Sequence, residues 1–186
     1  MTADHGETLG EHDIYFSHGE NIYDEVLSIP LIIKDNQYFK GGKKITKVVS
    51  SIDIVPTILS RINPIWYFFN KNKFNGRDIK GIVRGKDIKR KYIYSYFPKA
   101  WSIREVNKNI KYILYQDGSE ELYFPPNEYN NLITDDSLEI SYIRDEMRKR
   151  LDDWLKDYPI RSDINPNKES LGEEAKENLK RLGYLQ

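Results

Sequence analysis

No cysteine occurs among the 186 residues, which excludes a disulfide framework, a thiolate metal site and a cysteine nucleophile within them. Net charge is absent too. Lysine plus arginine and aspartate plus glutamate each total 29, so no long-range field draws the chain toward nucleic acid or an anionic membrane surface. Long apolar runs are also missing: Ile29 to Ile33 and Ile65 to Phe69 fall far short of the roughly 20 residues that span a bilayer. The N-terminus lacks the basic and then apolar pattern of a signal peptide, and the compartment stays open.

What is present is a globular composition, with 39% hydrophobic residues, 31% charged residues and 14 tyrosines, enough for one domain with a sizeable core. Residues Asp4 to Asn21 carry glycine, histidine and acids without apolar periodicity and read as a loop. A helical turn is expected at Tyr23 to Leu27. The run from Ile29 to Lys34 is predicted to be a buried strand with Pro30 at its entry. Ile45 to Ile62 reads as a strand running into a helix, with Ile54, Ile58 and Ile62 four apart, caps available at Ser50, Ser51 or Asp53, and Pro56 in the first turn.

The polar stretch from Asn70 to Lys91 reads as an exposed connection, and Lys89-Arg90-Lys91 as a solvated charge cluster. From Tyr92 the pattern changes to short runs dense in tyrosine and isoleucine: Tyr92 to Phe97, Trp101 to Val106, Lys111 to Tyr115 and Glu120 to Phe124. Turn residues such as Asp117-Gly118 separate them, which predicts an antiparallel meander. Apolar residues then recur at helical spacing from Leu138 to Leu155, through Ile143, Met147 and Leu151. A shorter helix is expected from Glu169 to Leu182, ended by Gly183. Ser51, Asp53 and Thr57 are read as capping groups, Trp101 and Trp154 as core, and Arg104 as an exposed strand position.

All three histidines, His5, His12 and His18, fall in the first eighteen residues, among Asp4, Glu7, Glu11 and Asp13. An adjacent aspartate and histidine on a loop kept irregular by Gly6 offer a carboxylate oxygen and an imidazole nitrogen to one divalent ion. Taken alone, Asp4-His5 is a weak motif, because acids and histidines on loops are commonly solvated.

The order of short motifs carries more. Thr2-Ala3-Asp4-His5-Gly6-Glu7 leads through His12 and Phe16-Ser17-His18-Gly19 to Tyr23-Asp24-Glu25 and Ile29-Pro30-Leu31-Ile32-Ile33. Ser51-Ile52-Asp53-Ile54-Val55-Pro56-Thr57 and Asn75-Gly76-Arg77-Asp78 follow. Ser102-Ile103-Arg104, Lys111-Tyr112-Ile113, Glu121-Leu122-Tyr123, Glu128 to Leu132 and Leu182-Gly183-Tyr184 complete the series. Together these resemble the sulfatase family of the alkaline-phosphatase-like superfamily, in its C-terminal portion.

The resemblance implies an α/β fold: the distal part of an alkaline-phosphatase-like mixed sheet with flanking helices, plus a small C-terminal antiparallel sheet packed on a long helix. Residues 1–90 would be the C-terminal part of the catalytic domain and 91–186 the antiparallel subdomain. It implies that Asp4 and His5 bind one divalent metal ion, with calcium first and manganese or zinc as alternatives. His18 would be the catalytic residue that contacts the anionic oxygens of a sulfate or phosphate ester, and His12 a second substrate contact. Whole relatives carry the nucleophile in an N-terminal half, so these residues are expected to be inactive alone, with that half as a partner. Rival expectations are a phosphodiester or phosphonate hydrolase, a phosphoglycerol-type transferase, and a non-catalytic interaction module derived from a sulfatase.

Overall fold

Between residues 92 and 123 the tyrosines and branched residues pair into one sheet. The computed structural model describes residues 1–17, 21–37, 39, 41–86, 90–158 and 177. Strands β3 (Tyr92–Phe97), β4 (Ala100–Glu105), β5 (Ile110–Tyr115) and β6 (Glu120–Tyr123) lie in that order, each antiparallel to the next. The expected meander is present with its bounds moved by at most one residue. At its tightest corner Gly118 takes a φ of 85°, which costs glycine nothing, and the Asp117 carboxylate accepts from the Ser119 amide at 2.9 Å.

Register decides what each face of this sheet meets. Ala100, Ser102 and Arg104 of β4 stand opposite Tyr115, Ile113 and Lys111 of β5, so all six share one face. That face packs on the segment around a short helix, α1 (Asp24–Leu27), where Ile22, Tyr23, Ala100, Ile113 and Tyr123 form a buried cluster. Ile103, Tyr112 and Leu122 are fully buried on the opposite side. Helix α4 (Leu138–Asp157) contributes buried Met147 and Leu151 and is tied to the sheet by ion pairs from Arg148 to Glu120 and from Lys91 to Glu146.

Ahead of the sheet, β1 (Thr8–Leu9) and β2 (Tyr15–Ser17) form a small antiparallel hairpin. Helix α2 (Ile54–Ile62) begins where expected, and α3 (Pro64–Asn70) follows it directly, its start capped by Asn63 accepting from the Trp66 amide at 3.1 Å. The chain divides into two compact units, Met1–Leu151 and Asp152–Gln186. Within the second, the rings of Trp154 and Tyr158 stack 5.5 Å apart. Except for Glu177, the helix expected at Glu169 to Leu182 lies outside the described residues.

Four expectations are corrected. The segment from Ile29 to Lys34 makes one isolated antiparallel bridge, Leu31 to Thr2, and leaves Ile32 and Ile33 exposed. Ile45 to Val49 forms no strand either. A strand is stable only beside another that takes up its backbone groups; among the described residues, the first of these segments has only the chain around Met1 and Thr2 beside it, and the second joins no sheet. Nor is the polar connection fully exposed, since Ile79 and Ile82 are buried.

The fourth correction concerns Arg90, which is no solvated charge. Its guanidinium grips the fully buried Asp53 carboxylate with both arms, at 2.5 and 2.6 Å. The same carboxylate accepts from the amides of Ser50 at 2.9 Å and Arg77 at 2.7 Å. Asp53 is therefore a junction between the start of α2, the turn at Gly76 and the entry to β3, as well as a cap. Gly76 is required there, because a Cβ would sit 1.8 Å from the Ile52 carbonyl oxygen.

Replacing Arg90 by leucine strands that carboxylate in the interior, and urea unfolding should show a loss of about 3–5 kcal/mol. By contrast, Phe68→Ser with Phe69→Ser on exposed α3, where Phe69 is 79% exposed, should change stability by less than about 0.5 kcal/mol. The same pair should reduce self-association in sedimentation experiments, because it removes exposed apolar surface.

Candidate functional site

The segment that carries Asp4 and His5 is laced along residues 26–32. Met1 and Ile32 exchange backbone hydrogen bonds at 2.8 Å, the Thr2 hydroxyl donates to the Pro30 carbonyl at 2.8 Å, and the Gly6 amide donates to the Val26 carbonyl at 2.7 Å. At Gly6 the fit is too close for any side chain, since a Cβ would lie 2.0 Å from the Glu25 carbonyl oxygen. The loop therefore rests directly on the backbone of α1.

The two candidate ligands meet at their polar tips. His5 Nδ1 is 2.8 Å from the Gly6 carbonyl oxygen, which can only accept, so Nδ1 carries a proton and, in the neutral ring, Nε2 carries the lone pair. Nε2 lies 3.7 Å from Asp4 Oδ2. The other oxygen of Asp4 accepts from the His5 amide at 3.1 Å. Both residues line a large open cavity whose wall also includes Asp24, Arg104, Lys111 and residues of the segments 29–34 and 43–49.

His12 is drawn away from that pair. Its ring lies between those of Tyr23 and Tyr129, at 3.7 and 5.1 Å and nearly parallel to both, and its Nε2 is 3.6 Å from Glu25 Oε1. Its backbone is left-handed, with φ at 54°, a region uncommon for residues other than glycine. His18 lies outside the described residues.

Beneath α1 is a buried ionic group. Arg104 and Lys111 stand directly opposite one another on β4 and β5, a repulsive arrangement for like charges. The Asp24 carboxylate lies between them, 2.7 Å from Arg104 Nη1 and 3.0 Å from Lys111 Nζ. Glu128 pairs with Lys111 at 2.7 Å and accepts from the Asp24 amide at 2.5 Å. Burial pushes the Glu128 carboxyl above the usual carboxylate range, while the Lys111 ammonium pulls it back. Arg104 uses its second arm on Asn109 at 2.6 Å, so it is engaged rather than the exposed position expected.

His12, Glu25 and Glu128 bring ligand atoms within 4.8 Å of one another. A cation placed there would have to displace the Lys111 ammonium from Glu128, and the group is better understood as a charge network. Sequence reasoning missed Lys111 and Glu128 as a pair. The available signal was a lysine set inside the apolar strand Ile110-Lys111-Tyr112-Ile113, because lysine is almost never buried without a partner.

Comparison with known proteins settles the family. A family model described as Sulfatase matches residues 1–64. A protein named Uncharacterized sulfatase YidJ, from Escherichia coli (strain K12), is 29% identical over 163 residues, covering 83% of this chain and 31% of its own length. Another, named Sulfatase, from Formosa agariphila, is 30% identical over 134 residues, covering 70% of this chain and 25% of its own length. This chain belongs to the sulfatase family. It spans about a third and a quarter of the lengths of these two sulfatases.

Sulfatases as a family use a divalent metal ion, and the donor set here fits one. Two donor atoms 3.7 Å apart leave room between them for an ion about 2.1–2.4 Å from each. The Gly6 carbonyl holds the imidazole in the tautomer that presents its lone pair, as a backbone acceptor does behind many metal-bound histidines. Substituting alanine at Gly6 should break this seat. Chemical denaturation is expected to report a loss of about 1–3 kcal/mol for Gly6→Ala, the cost of forcing an atom into a filled space.

Proposed function

We propose that this chain supplies half of a metal-dependent sulfuric ester hydrolysis site, with Asp4 and His5 holding one divalent ion, calcium in the first instance. The observation that carries this is the placement of His5 Nε2 and Asp4 Oδ2 at 3.7 Å with the imidazole tautomer set by Gly6. In a site of this kind the ion polarises the ester's sulfuryl oxygen and lowers the pKa of a coordinated nucleophile. Asp4 contributes the carboxylate charge and His5 a neutral nitrogen. Gly6 and α1 keep both from turning away.

By the family resemblance, His18 contacts the anionic oxygens of the ester and donates a proton to the leaving group. His12 would reach a substrate only by an edge of its ring, since Tyr23 and Tyr129 cover both faces. Residues 1–90 are assigned to the catalytic domain, as the distal part of an alkaline-phosphatase-like sheet, and residues 91–186 to the antiparallel subdomain. We assign no nucleophile within this chain and expect no turnover from these residues alone. Sulfate is favoured over phosphate because both relatives described above bear the name sulfatase.

Calorimetric titration with calcium and with manganese tests the assignment. One ion should bind per chain, and Asp4→Asn or His5→Ala should weaken binding by at least about tenfold, as loss of a ligand does. No uptake by the unaltered chain, or equal uptake by the doubly substituted one, would overturn it. An aryl sulfate assayed in parallel should show no hydrolysis above the His5→Ala variant.

A further inference from the structure

Lys111 is charged, 1% exposed, and placed in the sheet that follows the catalytic segment in sequence. The ester hydrolysis proposed above assigns no step to this buried ammonium. Its contacts nevertheless lead toward the ion-binding pair. Lys111 Nζ reaches Asp24 Oδ1 at 3.0 Å and Glu128 Oε1 at 2.7 Å, and Glu128 Oε2 takes the Asp24 amide at 2.5 Å. The first residue of α1 is thus held by both its side chain and its backbone.

Helix α1 has only four residues, too few to hold its shape by its own hydrogen bonds. On its far side the Gly6 amide bonds to Val26, and Gly6 stands against the Glu25 carbonyl with no room for a Cβ. Gly6 is next to His5 and also accepts its Nδ1 proton. A shift of α1 therefore moves the acceptor that orients the imidazole.

We propose that Lys111 and Glu128 are positioning residues for Asp4 and His5, acting through α1, so that the antiparallel sheet is a working component of the ion site. The proposal rests on the ion-binding role assigned to Asp4 and His5. Arg104 serves the same end as the second cation on Asp24. Neither Lys111 nor Glu128 touches the ion. They set where its ligands stand, and outer partners of that kind commonly change affinity by about 10–100-fold.

The test is manganese affinity of the full chain, read by electron paramagnetic resonance, for the unaltered protein, Lys111→Met, Glu128→Gln and Met147→Ala. Met147 is buried in α4, and its truncation supplies a comparable loss of stability away from the pair. Circular dichroism at the assay temperature establishes which variants are folded, and Glu128→Gln carries the test if Lys111→Met does not fold. The expected result is manganese binding weakened about tenfold or more by Glu128→Gln and Lys111→Met, with Met147→Ala unchanged. Unchanged affinity in folded Glu128→Gln, or an equal loss in Met147→Ala, would overturn the positioning role while leaving the ligand assignment standing. Absence of manganese binding in the unaltered chain would bring down both.

Discussion

A single carboxylate, that of Asp24, lies between two cations that the register of the sheet forces together. Strands β4 and β5 set Arg104 opposite Lys111 on the face that packs on α1, with Lys111 buried and Arg104 partly so. Taking two cations and their carboxylates out of water costs several kcal/mol per ion, an outlay that close pairing offsets without a large surplus. The return is placement. With Asp24 between the cations and Glu128 beneath its amide, the short helix has one seat on the sheet.

From that seat the geometry passes upward through backbone contacts alone. The glycine at position 6 lies against α1 because nothing larger fits, and its carbonyl sets the histidine tautomer. The positioning proposed for Asp4 and His5 thus starts from a sheet that begins almost ninety residues later. This is how a loop without regular secondary structure acquires a defined donor pair, with the rigidity borrowed from the element it rests on.

The remaining surface is of a different kind. Ile29 to Val49 and the outer faces of α2 and α3 expose isoleucine, tryptophan and phenylalanine at a density unusual for a folded surface. The two segments expected as strands have the branched composition of buried sheet, yet among the described residues the first makes a single isolated bridge and the second joins no sheet. The chain spans 31% and 25% of the two sulfatases compared with it. What a strand lacks in such a case is a neighbour, and propensity cannot substitute for one.

Elements whose signal is local were legible in the residue pattern. The four-stranded meander follows from alternating tyrosine and isoleucine broken by turn residues, α4 from its helical period, and α2 from Pro56 and the isoleucines spaced by four. Pro64 with Asn63 before it marks the start of α3 in the same way. The candidate ligands were legible through motif order, since Asp4, His5 and Gly6 are consecutive.

Long-range pairings left no such trace. That Arg90 belongs to Asp53, and Lys111 to Asp24 and Glu128, depends on strands and turns folding across tens of residues, and a charge run looks solvated until that has happened. The amino-acid order by itself determined the meander, α2 and α4, and it placed the candidate ligands side by side in sequence. Only the tertiary structure decided which charges are buried together, because burial and pairing are properties of distance in space, and the chain alone does not record that distance.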